Sequence, residues 1–332
     1  MKFAVLGAGA IGAYVGAALS RGGADVTLIA RGAHLQAMAD HGVRVLSPRG
    51  DFTAHPQVSG DIDAVADADV VFVALKAYSL AEVAPRLGAA LPPGAAVIWA
   101  QNGLPWWYFQ SGSGPAGITG LQAVDPGGVI AASIAAEHNV GCVVFCSTEI
   151  IEPGVIKHVE GTRFTLGEPD GSDSERCKLI SAAFAAGGLR APVDVSLRDQ
   201  IWLKLVGNVA FNPVTALTGA TLGQLGDLPE MRELLLAVFA ECAEVAGRLG
   251  ITFPVSLDRR LEAGLAVGEH KTSMLQDLEA GKQLELECMT GAVIELAGYL
   301  NVGVPHIQAV HACATLLGQL RAGNSGHGQA TG

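Results

Sequence analysis

The stretch of sequence that decides the fold is Gly7-Ala8-Gly9-Ala10-Ile11-Gly12. It follows an apolar run at residues 3–6, typical of a buried strand, and opens a small-residue stretch at 11–20, typical of a helix. In this context the first glycine permits a tight turn, the second lets the backbone approach a pyrophosphate, and the third lets the helix pack closely on the strand. The pattern predicts a dinucleotide-binding turn whose contacts are made by Gly7, Gly9, Ala10, Ile11 and Gly12.

Short β-rich runs alternate with helical stretches through the first half of the chain. This alternation predicts parallel strands with right-handed crossovers, a Rossmann-type doubly wound α/β sheet. The predicted strands cover residues 3–6, 25–30, 43–46, 52–58, 69–75, 96–100, 140–147, 154–159, 163–167 and 193–195. The predicted helices cover residues 11–20, 31–40, 80–91 and 174–186. The strands from residue 140 to 167 are expected to close the sheet in antiparallel fashion.

From about residue 197 long amphipathic helices replace this alternation. They are predicted at residues 198–211, 229–249, 279–300 and 305–321. This change of pattern places a domain boundary near residue 196, so we expect a dinucleotide-binding α/β domain over 1–195 and an all-helical domain over 196–321. The Gly- and Ser-rich end, 322–332, predicts a flexible tail.

Composition narrows the classes of function. The 332 residues are 50% apolar and 16% charged, and the formal net charge is −11, which argues against wrapping by nucleic acid. No run of about eighteen uninterrupted apolar residues occurs, so we expect no membrane span. Six widely spaced cysteines predict reduced, buried thiols of a cytoplasmic protein, and neither a disulfide framework nor a metal site. The first twenty residues also resemble a short secretory signal, but the glycine spacing favours a strand and a helix.

Three further residues bear on the cofactor. An NAD site would place an acid at the end of the second strand, about twenty residues beyond the glycines. Arg31 stands there instead and can clamp a 2′-phosphate, which favours NADP(H); the alternative is a solvated residue at a helix start. Lys76 and Asn102 follow later strands and are expected to line the cofactor crevice, although Lys76 could face solvent and Asn102 could belong to an ordinary turn.

A polar stripe runs along the first helix of the second half. Lys204, Asn208 and Asn212 are four residues apart and otherwise surrounded by apolar residues, so an ammonium and two amides share one face of a buried helix. Such groups need partners, which a ligand or a mutual network would supply. The alternative is that the asparagines cap neighbouring loops. Pro213 is expected to end or kink the helix.

A second polar cluster includes Ser273 and Glu285. Ser273 lies where a loop enters a helix, so it is either a ligand contact or a helix cap. Glu285 is either a functional carboxylate or a solvated residue on a helix face.

Taken together, these motifs resemble the ketopantoate reductase family (2-dehydropantoate 2-reductase). The resemblance extends over nearly the whole chain and is carried by GAGAIG, KAY at 76–78, QNG at 101–103, WLKLVGNVAFNPVTAL at 202–217 and TSMLQD at 272–277. It implies that 1–195 is an NADPH-binding Rossmann domain. It further implies that 196–321 is a substrate-binding and catalytic domain like the C-terminal domain of 6-phosphogluconate dehydrogenase, with catalysis in the cleft between the two. It also implies that Lys204 and Glu285 are catalytic, that Asn208, Asn212 and Ser273 bind substrate, and that Asn102 belongs to the site.

The resemblance implies reduction of 2-dehydropantoate, a small 2-keto acid, to pantoate in pantothenate biosynthesis; a homodimer is left open. An aromatic block that includes Trp106, Trp107 and Tyr108 departs from the family pattern. If these rings line the mouth of the cleft, they would favour a bulkier 2-keto acid; otherwise they pack a loop. A non-catalytic NADP(H) sensor is a further alternative.

Overall fold

The computed structural model describes residues 1–110, 112, 114–253 and 255–327. The chain divides into two compact units. The first contains residues 1–101, 105–111 and 127–197, and the second contains 102–104, 112–126 and the chain from 198 onwards. The sequence analysis did not anticipate that two short segments of the first half would join the second unit. Its assignment of cofactor binding to 1–195 and of chemistry to 196–321 stays a prediction.

The first unit is built on one nine-stranded sheet, in the order β4-β3-β9-β8-β7-β6-β1-β2-β5. Parallel pairing joins β1 to β2 and β6, and continues through β7 to β8. The Rossmann-type α/β prediction is confirmed. The strands are β1 (Lys2–Leu6), β2 (Asp25–Ile29), β3 (Val43–Leu46), β4 (Phe52–Ala54), β5 (Gln57–Ser59), β6 (Val70–Val73), β7 (Ala96–Trp99), β8 (Asn139–Glu152) and β9 (Val155–Gly167).

Small residues let the first helix lie close against this sheet. The helices of the first unit are α1 (Ala10–Arg21), α2 (Gly32–His41), α3 (Leu80–Ala90), α4 (Val129–Ser133) and α5 (Glu175–Ala186). A Cβ added to Gly16 of α1 would lie 2.2 Å from Leu28 Cδ2 on β2. The core therefore depends on a residue without a side chain at this crossing.

Three strand predictions need correction. The strand expected over 52–58 is two strands, β4 and β5. The three strands expected between 140 and 167 are two, β8 and β9, which pair antiparallel as expected. Gly161, in the gap between two of the predicted strands, lies within β9 beside a register shift, where a Cβ would meet the Phe145 carbonyl oxygen at 2.4 Å. The strand expected at 193–195 forms only a bridge from Val193 to Leu166.

Helices make up the second unit, with Phe211 and Phe239 packed edge to face in its core at 5.5 Å between ring centroids. The helices are α6 (Leu197–Thr218), α7 (Leu222–Gly226), α8 (Pro229–Arg248), α9 (Leu257–Leu265), α10 (Ser273–Glu279), α11 (Ala292–Leu300) and α12 (Pro305–His327). A single π-helical turn, Glu287–Gly291, leads into α11 and is called the π-turn below. Within the described residues no helix is long and apolar enough to cross a membrane.

Helix boundaries in this unit differ from the prediction at three places. The expectation that Pro213 ends α6 is wrong, since the helix continues to Thr218. The predicted start of the helix over 279–300 is also wrong. Residues 280–286 are not helical, because Gly281 at φ +66° terminates α10. Helix α12 passes the predicted end at residue 321, and the tail beyond 327 lies outside the described residues.

All six cysteines are free thiols, in line with the prediction. Cys313 on α12 is exposed, however, so the expectation that all six are buried is wrong for that residue.

Candidate active site

The glycine turn of the first unit is closed by backbone hydrogen bonds. The N–H groups of Gly7 and Ala8 donate to the Ile29 carbonyl at 3.1 and 3.0 Å, which fixes the turn on the end of β2. Gly7 adopts φ +91°, a left-handed conformation that favours glycine. A Cβ on Gly12 would lie 2.3 Å from the Gly7 carbonyl oxygen, so only glycine lets α1 begin this close to β1.

The second glycine leaves space at the start of α1. A Cβ on Gly9 would meet no atom within 4 Å, and Gly9 is the N-cap of α1 without a side-chain cap. The first turn, which begins at Ala10 and Ile11, carries no acidic residue. Its N–H groups and the helix dipole therefore fit the pyrophosphate of a dinucleotide.

Two other predicted cofactor residues also lie in the first unit. Arg31 is the exposed N-cap of α2, two residues beyond Ile29, and within the described part of the chain no hydrogen bond or ion pair engages its guanidinium. Lys76 is half-buried and follows β6 at the start of a short 3₁₀ turn. Their contacts with a cofactor stay predictions.

The structure brings two predicted site residues together in the second unit. Lys204, half-buried on α6, donates from Nζ to Asn102 Oδ1 at 2.7 Å. Asn102 belongs to the short segment 102–104 and lies 102 positions away in sequence. A neutral amide oxygen can accept this hydrogen bond from an ammonium group without neutralising its charge.

The other two residues of the polar stripe differ in environment. Asn208 is half-buried, and no described residue hydrogen-bonds its side chain. Asn212 is 5% exposed, and its Nδ2 donates to Met289 Sδ at 3.5 Å. Asn208 is therefore available to a ligand, whereas Asn212 is held within the helical core.

Ser273 does not cap α10, which was one of the two roles that the sequence left open for it. The N-cap of α10 is Thr272, whose hydroxyl accepts from the Leu275 N–H at 3.3 Å. Ser273 is the exposed first residue of the helix. Its hydroxyl is engaged by no side chain or backbone group of the described residues.

A chain of hydrogen bonds ties this cap to α6. Thr215 donates to the Asn212 carbonyl at 3.0 Å, and its hydroxyl oxygen lies 2.5 Å from that of Thr272. Because the Thr215 proton goes to Asn212, Thr272 is the donor between the two hydroxyls. The helix that carries Lys204 thus positions the start of the helix that carries Ser273.

Glu285 is 8% exposed, which contradicts the alternative of a solvated helix-face residue. It lies two residues before the π-turn, and the Cys288 thiol donates to its carbonyl oxygen at 3.6 Å. π-Turns occur frequently at functional sites.

Sequence reasoning missed a cation that contacts α6 from a neighbouring helix. Arg260 of α9 donates to the Leu203 carbonyl, and a Cβ on Gly207 would lie 3.8 Å from its Nη2. Burial lowers the pKa of Arg260, and no carboxylate pairs with it within the described ranges. In sequence Arg260 looks like any charged residue of an amphipathic helix, so no signal distinguishes it.

The aromatic block is packed inside the protein. Trp106, Trp107 and Tyr108 are 3%, 1% and 2% exposed. Trp106 packs edge to face on Trp99 at 5.1 Å, and Trp107 covers Gly141 of β8. These contacts agree with the packing interpretation and contradict the one in which the rings line an open mouth.

Comparison with known proteins decides the family. Residues 3–106 match the family described as Ketopantoate reductase PanE/ApbA, and residues 196–317 match its C-terminal family. A 2-dehydropantoate 2-reductase from Mesorhizobium japonicum is 42% identical over 311 residues, which cover 93% of this chain and 95% of that protein. The chain belongs to the ketopantoate reductase family. It is thereby an oxidoreductase, as the sequence predicted.

Solved structures of the family show the same fold. A Ralstonia solanacearum structure assigned to ketopantoate reductase is 38% identical, with a TM-score of 0.90 over 96% of this chain and 98% of that one. A dimeric ketopantoate reductase from Staphylococcus aureus has a TM-score of 0.74 over 97% and 100% of the two chains. At 21% identity, this second likeness concerns the fold alone.

Proposed function

We propose that this member of the ketopantoate reductase family reduces 2-dehydropantoate to pantoate with NADPH. The observation that carries the proposal is the hydrogen bond from Lys204 to Asn102, which holds an ammonium group beside the free amide of Asn208. Reduction of a ketone needs a hydride and a proton, and a positioned ammonium supplies the proton.

NADPH, when bound, supplies the hydride to the carbonyl carbon. The protein's own residues act on the oxygen, where negative charge develops as the C=O π bond breaks. Lys204 stabilises that charge and transfers a proton from Nζ to the oxygen, which leaves a neutral amine that solvent reprotonates. The amide of Asn208 and the hydroxyl of Ser273 bind the polar groups of the substrate.

The acidic chain needs local cations to hold an anionic substrate and cofactor. The formal net charge is −11, so bulk electrostatics repel both ligands. Lys204 on α6 and Arg260 on α9, which contacts the carbonyl of the neighbouring Leu203, offset this repulsion for the carboxylate of a keto acid. Arg31 plays the same part for the 2′-phosphate of NADPH, because its guanidinium has no acidic partner among the described residues.

The test is NADPH consumption, followed by absorbance, with 2-dehydropantoate and a panel of 2-keto acids of increasing bulk. We expect the highest kcat/KM with 2-dehydropantoate. A higher kcat/KM with bulkier acids would favour a variant reductase, although burial of the aromatic block removes the observation that suggested one. NADPH binding without consumption by any acid would favour a sensor.

We also propose that the chain forms a homodimer through α12. Leu316 and Leu320, one helical turn apart, are 56% and 59% exposed, and Cys313 is exposed on the same side. Adjacent exposed leucines on one helix face are typical of a protein interface. The dimeric description of the Staphylococcus aureus reductase supports a second copy of the chain as the occupant.

A further inference from the structure

The segment that holds Asn102 against Lys204 is attached to the π-turn by a backbone hydrogen bond. The N–H of Leu104 donates to the Cys288 carbonyl at 2.7 Å. Both residues are buried, at 1% and 3% exposed. The two bonded residues are 184 positions apart in sequence. Leu104 lies two residues after Asn102, and Cys288 lies three residues after Glu285.

The π-turn removes the ordinary α-helical donor from the Cys288 carbonyl. In an α-helix the N–H of Ala292 would donate to Cys288. Here it donates to the carbonyls of Glu287 and Met289, and the N–H of Gly291 reaches back five residues to Leu286 at 3.1 Å. The altered register therefore presents the Cys288 carbonyl to Leu104.

Only glycine at position 103 permits the segment 102–104 to lie this close to the π-turn. It adopts φ +88°, and an added Cβ would lie 2.2 Å from the Cys288 carbonyl oxygen and 2.9 Å from its Sγ. The nearest of these atoms, the Cys288 carbonyl oxygen, belongs to the backbone and cannot rotate away as a side chain could. Any other side chain at position 103 must push the segment off the π-turn.

We propose that Gly103, the Leu104 N–H and the Cys288 carbonyl form a backbone clamp whose role is to hold the Asn102 amide on the ammonium of Lys204. Gly103 and Cys288 are positioning residues, since they act through Asn102 and touch neither reactant. The clamp also links the turn that carries Asn102 to the segment that carries Glu285, because Cys288 contacts the Glu285 carbonyl through its thiol. The kinetic part of this proposal rests on the proposed reductase function.

The kinetic test is a double-mutant cycle with Gly103→Ala and Asn102→Ala. We expect Gly103→Ala alone to lower kcat by about tenfold to a hundredfold, the effect of a displaced catalytic contact. In the Asn102→Ala background the same substitution should lower kcat by less than about twofold. The clamp would be overturned if Gly103→Ala lowered kcat by the same factor in the Asn102→Ala background as in the parent. A parental kcat for Gly103→Ala alone would also overturn it.

Gly50→Ala is the matched control. Gly50 also has a positive φ, +106°, but a Cβ there would meet no atom within 4 Å. This variant carries the conformational strain without the steric clash and should keep the parental kcat. A fall in kcat equal to that of Gly103→Ala would assign the effect to general strain and overturn the proposal.

Amide hydrogen exchange tests the clamp independently of activity. We expect slow exchange at the Leu104 N–H in the parent and in Gly50→Ala, and faster exchange in Gly103→Ala. If Gly103→Ala does not fold, Leu104→Pro removes the donor directly and replaces it in the kinetic cycle. Fast exchange at Leu104 in an active parent would overturn the clamp alone. Slow exchange in a parent that reduces no keto acid would overturn the proposed function and leave the clamp supported.

Discussion

At the scale of single residues, Lys204 is the group on which the proposed reaction depends. We expect Lys204→Ala to lower kcat by about a hundredfold to ten-thousandfold, because the variant loses both the proton donor and the charge opposite the developing alkoxide. The Kd of NADPH, measured by fluorescence titration, should stay close to the parental value. Lys282→Ala removes an exposed lysine of the same unit and is the control. A parental kcat for Lys204→Ala would refute the assignment.

Arg31 is the residue predicted to set the preference of the chain for NADPH over NADH. We expect Arg31→Ala to weaken NADPH binding by about tenfold to a hundredfold, the value of one or two charge-assisted hydrogen bonds, and to leave NADH binding unchanged. Arg44 is also an exposed arginine, on β3, so Arg44→Ala measures the loss of one surface charge without a predicted contact. Equal weakening of both cofactors by Arg31→Ala would show that the residue does not read the 2′-phosphate.

At the scale of helices and strands, the Thr215–Thr272 contact joins α6 to α10. Thr215→Val leaves the buried hydroxyl of Thr272 without its acceptor, so we expect the free energy of unfolding to fall by about 1–3 kcal/mol. Because the cap also sets the position of Ser273, KM for the keto acid should rise more than KM for NADPH. Thermal unfolding and steady-state kinetics measure the two effects.

Thr218→Val is the control for this prediction. Thr218 lies in the last turn of the same helix, and its hydroxyl donates to Val214 of that helix. The control variant should therefore affect stability without a selective change in either KM. If both variants raised KM for the keto acid equally, the position of Ser273 would not depend on the contact between α6 and α10.

Elements with strong local signals could be predicted from the sequence. The glycine turn and α1 were predicted because their signal is local: Gly7 adopts a positive φ, and Gly12 packs against the Gly7 carbonyl within the same strand–turn–helix unit. The π-turn could not be predicted in this way. Its residues continue the apolar periodicity of α11, and what distinguishes it is the bond from Cys288 to Leu104, which no local pattern contains.

The site shows the same limit. The stripe of Lys204, Asn208 and Asn212 follows from helical spacing alone, and family resemblance added Ser273 and Glu285. The acceptor for Lys204 comes from a segment 102 positions away, so periodicity carries no information about it. The N-cap of α10 shows how residue type can place a cap one position away from where it lies. Thr and Ser are both favourable N-cap residues, so the sequence does not distinguish Thr272 from Ser273, and the backbone conformation makes Thr272 the cap.

At the scale of the whole molecule, long-range hydrogen bonds explain why the two units are not continuous in sequence. The segment 112–126 belongs to the helical unit, where the N–H groups of Gln122 and Ala123 donate to the Glu295 carboxylate at 2.9 and 2.8 Å. The segment 102–104 belongs there through the clamp. Between them, residues 105–111 return to the first unit, which the buried Trp106 and Trp107 anchor. The shift in composition near residue 196 reveals the main division, but not these exchanges.

The proposed homodimer is testable by the mass of the assembly in solution. We expect the parent to sediment with twice the 34.0 kDa of one chain. Introducing two charges into an apolar interface, with Leu316→Glu and Leu320→Glu, should yield monomers, because a buried unpaired carboxylate costs several kcal/mol. Leu179→Glu changes a leucine of the first unit that is also 56% exposed, so it should leave the dimer intact. A dimer that survived the double substitution would place the interface on a face other than that of α12.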